Sequence, residues 1–129
     1  MRVLGIDYGE RKTGVAIAEG KLAEPLVVIR HKNTEELISR LAKIIKEKKI
    51  EEVVVGVSEG VMGERQKAFG MSLAIETGVA VEFEDETLTT KDVQRLSLEA
   101  GMKQKKRKEL EDAFSAALIL QRWVDGQGL

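Results

Sequence analysis

The sequence predicts an α/β fold: a mixed five-stranded sheet with helices on both faces. Three observations carry that reading. The chain opens with two short apolar runs, Val3–Ile6 and Gly14–Ala18, around a tight polar stretch, the pattern of an antiparallel hairpin. Glu51–Val57 (EEVVVGV) is β-branched and lacks alternation, as a strand buried on both faces would be. Helical patterns flank that run, so the strands beyond the hairpin are joined by crossovers, which require parallel pairing.

Length and composition set the frame. The chain has 129 residues, which predicts one domain over residues 1–129 with a sizeable core. A content of 43% hydrophobic and 33% charged residues fits a globular chain rather than a disordered one. The formal net charge of −1 gives no overall pull toward nucleic acid or a membrane surface, so any such attraction must come from local clustering. Cysteine is absent, which excludes disulfides and thiol chemistry. No apolar run approaches the ~18 residues of a membrane span, and a cytoplasmic location is the expectation.

In the opening hairpin, Asp7-Tyr8-Gly9-Glu10-Arg11-Lys12 forms the turn, with Gly9 available for a positive φ. Leu22–Ile29 reads as a third strand, and Pro25 places it at the sheet margin because proline removes a ladder donor. Asn33 with Glu36 three residues on marks a helix start. Leu37, Ile38, Leu41, Ile44 and Ile45 then follow at helical spacing, predicting a helix over 34–48. Ser58–Gly63 reads as a glycine-bearing loop. A second helix is expected from Glu64 to Thr77, with Ala68, Phe69, Ser72, Leu73 and Ile75 facing inward at least in part and Gly78 as its stop. Val79–Asp85 alternates as a half-exposed strand does, Thr89–Ala100 reads as a helix ended by Gly101, and a last helix is expected over 108–124. Three strands, helix, strand, helix, strand and two helices make a ribonuclease H-like arrangement.

Carboxylates stand at three places in this plan. Asp7 ends the first strand, where it can face a metal ion or phosphate, or else cap its own turn. Asp85-Glu86 ends the last strand, where alternation often fails and parity does not choose between the two. The pair could also be an acidic loop start. Asp112 lies on an apolar stripe with Ala116, Ile119 and Trp123, while Ala113, Ala117, Leu120 and Val124 make the other side apolar too. A buried aspartate is costly unless paired or bound to a cation, although a helix N-terminus favours an anion. Three such carboxylates converging on one sheet end would suit one or two Mg²⁺ ions in phosphodiester cleavage. The basic residues Lys103, Lys105, Lys106, Arg107 and Lys108 directly precede Asp112 and predict a grip on a phosphate backbone. His31 has no partner that suggests catalysis and is expected at the surface. No serine has a nucleophile-elbow context.

These residues together resemble the YqgF/RuvX family of Holliday-junction resolvases, also described as pre-16S ribosomal RNA nucleases. The matching stretches are Gly5-Ile6-Asp7-Tyr8-Gly9, Lys12-Thr13-Gly14-Val15-Ala16 and Val54-Val55-Gly56. Further on are Asp85-Glu86 with Leu88-Thr89-Thr90, then Lys105–Lys108, and last Asp112 with Ala116-Ala117 and Ile119-Leu120-Gln121. The resemblance spans essentially the whole chain and implies a metal-dependent nuclease using Mg²⁺ or Mn²⁺. It implies Asp7, Glu86 and Asp112 as catalytic metal ligands with Asp85 in support, and Glu59 in reserve. It further implies Lys105, Lys106 and Arg107 on phosphates, and Lys12 and Thr13 lining the substrate site.

Two departures bear on activity: Thr87 stands where the family usually has arginine, and the loop after Gly56-Val57-Ser58-Glu59 is short. The resemblance implies a ribosomal RNA precursor or branched DNA as substrate; a symmetric junction would call for a homodimer. One rival is an actin-like ATPase, which needs two such domains where this length supplies one. The other is a catalytically silent RNA-binding factor in ribosome biogenesis.

Overall fold

The computed structural model describes residues 1–86 and 110–127. Its elements are β1 (Arg2–Asp7), β2 (Lys12–Glu19), β3 (Ala23–Arg30), α1 (Thr34–Glu47), β4 (Glu52–Val57), α2 (Gly60–Thr77), β5 (Ala80–Asp85) and α3 (Glu111–Gly126). The strands form one sheet in the order β3-β2-β1-β4-β5. β1, β2 and β3 are antiparallel, whereas β4 pairs parallel with both β1 and β5. The mixed five-stranded sheet is therefore as the pattern predicts. Parallel pairing brings the C-terminal ends of β1, β4 and β5 to the same edge of the sheet. The expected helix at Thr89–Ala100, Thr87 and the basic run Lys103–Lys108 lie outside the described residues.

Side-chain alternation divides the core in two. On one face Leu4, Ile6, Val15, Val53 and Val55 meet Leu37 and Leu41 of α1 and Phe69 and Leu73 of α2. On the other Val3, Ala16, Ala18 and Val54 meet Ala116, Ile119, Leu120 and Trp123 of α3. Small residues let α3 come close: a Cβ on Gly5 would stand 2.7 Å from Leu120 Cβ, and one on Gly14 would collide with the Asp112 carbonyl. Gln121 fastens α3 to the β2–β3 turn, accepting from Ala23 N and donating to Lys21 O, each at 2.8 Å. Among the described residues no helix is long and apolar enough to cross a membrane.

Pro25 falls on the edge strand β3, beside a register shift in the β2–β3 ladder, where its missing N–H does least harm. Asn33 caps α1 through its side chain, which accepts from Glu36 N at 2.8 Å. Asn33→Ala is expected to cost about 1 kcal/mol, a fall of roughly 3–5 °C in a thermal melt. An unchanged melt would show that the cap contributes nothing.

Several expectations need correction. α2 begins at Gly60, not Glu64, so the loop after β4 is only Ser58-Glu59. Its inward residues are Gly63, Gln66, Phe69, Gly70 and Leu73; Ala68, Ser72 and Ile75 face outward, Ile75 being 80% exposed. Gly70 is buried because the Phe83 ring lies against it, leaving no room for a Cβ. Gly9 is not among the positive-φ residues; a side chain there would run into the Lys12 carbonyl, so close backbone approach is what calls for glycine.

Candidate active site

Asp7 is the last residue of β1 and pairs with Gly14 of β2. Since β1 is the middle strand, its end is the natural meeting point of the elements around it. The start of α3 passes directly over Gly14, which brings Asp112 to the Asp7 side of the sheet. From the other flank Glu86 follows β5, its N–H donating to Val57 O at 2.9 Å so that the chain stays fixed one residue beyond the strand. Asp7, Glu86 and Asp112 are thus delivered from three separate elements.

The electrostatics report their proximity. The Asp7 carboxyl is pushed up to about 8, first by burial, then by the Glu86 charge, a hydrogen bond shared with Glu86, and the Asp112 charge. Asp85 and Glu59 are not among the groups acting on Asp7, and both are exposed. Glu59 instead takes the N-cap position of α2 without a side-chain capping bond. Of the candidate middle carboxylates, the fold brings Glu86 to Asp7.

Lys12 Nζ lies 3.0 Å from Asp112 Oδ2, and both side chains are partly open to solvent. The two residues share an open cleft of about 270 Å³ with Asp7 and the β1–β2 turn. Thr13, expected to line the substrate site, is fully buried. Its Oγ1 stands 3.3 Å from Gly9 N, 3.4 Å from Gly9 O and 2.9 Å from His31 Nε2, so it shapes the turn from beneath rather than facing a bound strand. His31 is not at the surface: it is 6% exposed, and burial pushes its pKa down. The turn is tied from outside as well, by an Arg65–Glu10 ion pair and by Tyr8 stacked on Phe69 with ring centroids 4.5 Å apart. A lone histidine carries no periodic signal, and nothing in the sequence marked it as Thr13's partner.

Sequence reasoning also passed over Gln66. It is 2% exposed; its Oε1 accepts from Ser58 N at 2.7 Å, and its Nε2 donates to Glu86 Oε2 at 3.2 Å. A polar residue among outward-facing neighbours on α2 gave no sign of burial.

Among the described residues no three acidic, histidine or cysteine side chains are gathered closely enough to enclose a metal ion as they stand. Asp112 is instead engaged by Lys12. The donor set nevertheless has the chemistry of a hard-cation site. It is all carboxylate oxygen, and one member is driven toward protonation by burial and then by the other two. Lys105, Lys106 and Arg107 lie outside the described residues.

The family model "RuvX: Holliday junction resolvase" matches residues 1–126. A protein of Agathobacter rectalis named "Putative pre-16S rRNA nuclease" is 36% identical over 136 residues, covering 97% of this chain and 95% of that protein. A protein of the same name from Dictyoglomus thermophilum is 36% identical over 137 residues, covering 100% of this chain and 99% of its own length. Among solved structures, T. thermophilus RuvC in complex with a Holliday junction substrate superposes with a TM-score of 0.67. That match covers 99% of this chain and 96% of the other at 19% identity, which speaks to the shared ribonuclease H-like fold.

Proposed function

We propose, from the premise that this chain belongs to the RuvX Holliday junction resolvase family, that residues 1–129 form a metal-dependent nuclease domain that hydrolyses phosphodiester bonds in structured nucleic acid. The substrate that fits the named relatives best is pre-16S ribosomal RNA, whose 5′ end is the proposed place of cleavage, with four-way DNA junctions as the second class. The observation that carries the reading is the crowding of Glu86 and Asp112 on Asp7 at the end of the central strand.

Asp7, Glu86 and Asp112 would hold Mg²⁺ or Mn²⁺, with Asp85 in support at the end of β5. When bound, the ion supplies activation of a water and stabilisation of charge on the phosphoryl oxygens. The residues of the chain have their own parts. The backbone of Asp7 and of Glu86 is fixed at two strand ends, so only side-chain movement would be needed to bring their carboxylates around an ion. Lys12 is within reach of the cleft and can leave Asp112 for a substrate phosphate, a strongly charge-assisted partner. Lys105, Lys106 and Arg107, just before α3, would extend that grip along the backbone. A ribosomal RNA precursor as substrate would place the protein in the cytoplasm, and cutting a symmetric junction would require a homodimer.

The test is cleavage of labelled pre-16S rRNA and four-way DNA junctions in Mg²⁺, Mn²⁺ or EDTA, comparing wild type with Asp112→Asn. Cuts that need metal and fall at least about 100-fold in the variant support the reading, and the substrate that is cut identifies the role. Binding without cutting under every metal would favour a silent RNA-binding factor.

A further inference from the structure

Gln66 is nearly fully buried in a helix whose other buried residues are glycines and apolar side chains. An amide in such a place is costly unless both of its ends are hydrogen-bonded. Here both are, and the partners fix which way round the amide lies. The backbone N–H of Ser58 needs an acceptor, so Oε1 must face it; the distance is 2.7 Å, with Ser58 Oγ at 3.2 Å on the same oxygen. Nε2 is thereby turned toward Glu86 Oε2, 3.2 Å away. The spacing depends on the short link after β4, since Gly63 lets the first turns of α2 settle on the Ser58 carbonyl. Glu86 is then held by its own N–H on Val57 O and by the Gln66 amide on one carboxylate oxygen, besides the hydrogen bond it shares with Asp7. One donated bond uses a small part of a carboxylate's acceptor capacity and leaves the rest available for a cation.

We propose that Gln66 is a positioning residue, a buried bracket between Ser58 and Glu86 that holds the Glu86 carboxylate ready for a divalent cation. This rests on reading Asp7, Glu86 and Asp112 as the metal-binding set. A partner of this kind acts through the ligand it orients, and loss of such partners typically lowers metal affinity about 10–100-fold.

Mn²⁺ binding to the full chain, measured by titration calorimetry without nucleic acid, tests it alongside a thermal melt of each variant. Gln66→Met fills similar space with neither hydrogen bond, and Gln66→Asn keeps an amide too short to span both partners. Each is expected to bind Mn²⁺ about 10–100-fold more weakly than wild type. Combined with Glu86→Gln, Gln66→Met should add no further loss, because its effect runs through the carboxylate already removed. Losses that multiply in the double variant, or wild-type affinity in both single Gln66 variants, would overturn the proposal. If Gln66→Met does not fold, the Gln66→Asn affinity decides. If Glu86→Gln weakens Mn²⁺ binding and the Gln66 variants do not, only the role of Gln66 falls. If wild type binds no Mn²⁺, or Glu86→Gln binds it as tightly, the three-carboxylate reading falls and this proposal with it.

Discussion

Asp7→Asn is expected to abolish cleavage while making the protein more stable at neutral and alkaline pH. Burial, Glu86 and Asp112 hold the Asp7 carboxyl at about 8, far above the ordinary aspartate value of roughly 3.9. The folded state therefore binds a proton that the unfolded state releases, and this contributes stability that is complete below about pH 4. The contribution is lost as pH rises from about 4 to about 8, where Asp7 must ionise beside its neighbours. Asparagine keeps the neutral form at every pH. Because solvent reaches part of the cluster, the gain at pH 8 should be about 2 kcal/mol, or roughly 5–10 °C, rather than the full equivalent of the shift. The difference from wild type should vanish near pH 4. Millimolar Mn²⁺ should raise the melting temperature of wild type and leave the variant almost unmoved, since a ligand stabilises only the state that binds it. Melts at pH 4 and 8, with and without Mn²⁺, check all three points. A variant that melts lower than wild type at pH 8, or still cuts, would remove Asp7 from the site.

Gly14→Ala should be the most damaging single methyl group in the described fold. Its Cβ would occupy the position of the Asp112 carbonyl and press on Ala113 N, both backbone atoms of the first turn of α3. Backbone cannot rotate away as a flexible side chain can, so the whole start of the helix must lift. Overpacking of this sort costs about 3 kcal/mol, which predicts a fall of roughly 10 °C in melting temperature. Cleavage should fall further than stability explains, at least about 100-fold at a temperature where the variant is folded, because Asp112 moves with the helix start. Gly126→Ala, at the other end of α3 with open space around it, is the control and should change little. Equal behaviour of the two variants would mean that the start of α3 is not held against β2.

The parts of this fold that the sequence revealed are those where side-chain hydropathy decides the structure. Val53, Val54 and Val55 bury on alternate faces of one strand, and their continuous apolar run follows directly. Asn33 and Pro25 were legible because capping and the missing proline N–H are local chemistry. α2 was harder to read because backbone closeness, not hydropathy, sets its inner face: Gly63 and Gly70 are buried while Val61, Met71 and Ile75 face out. A pattern of apolar residues finds Phe69 and Leu73 there but misplaces Ala68 and Ile75 and passes over the two glycines. The same limit explains the site. Asp7 and Asp112 stand on periodic elements and were visible as carboxylates in unusual places. Glu86 lies one residue past its strand, where alternation no longer informs, and only its bonds to Val57 and Gln66 reveal its orientation. Thr13 and His31 recognise each other across 18 residues, a pairing no local rule supplies.

The helix carrying Asp112 is also the last described element to be translated. Before residues 111–126 emerge, Val3, Ala16, Ala18 and Val54 have no cover on their face of the sheet, and Asp7 and Glu86 lack their third companion. Burying the exposed face and completing the site are therefore one event in the life of the chain. Under the proposed three-carboxylate reading, a copy that has not yet laid α3 on the sheet lacks Asp112 and should therefore not cut.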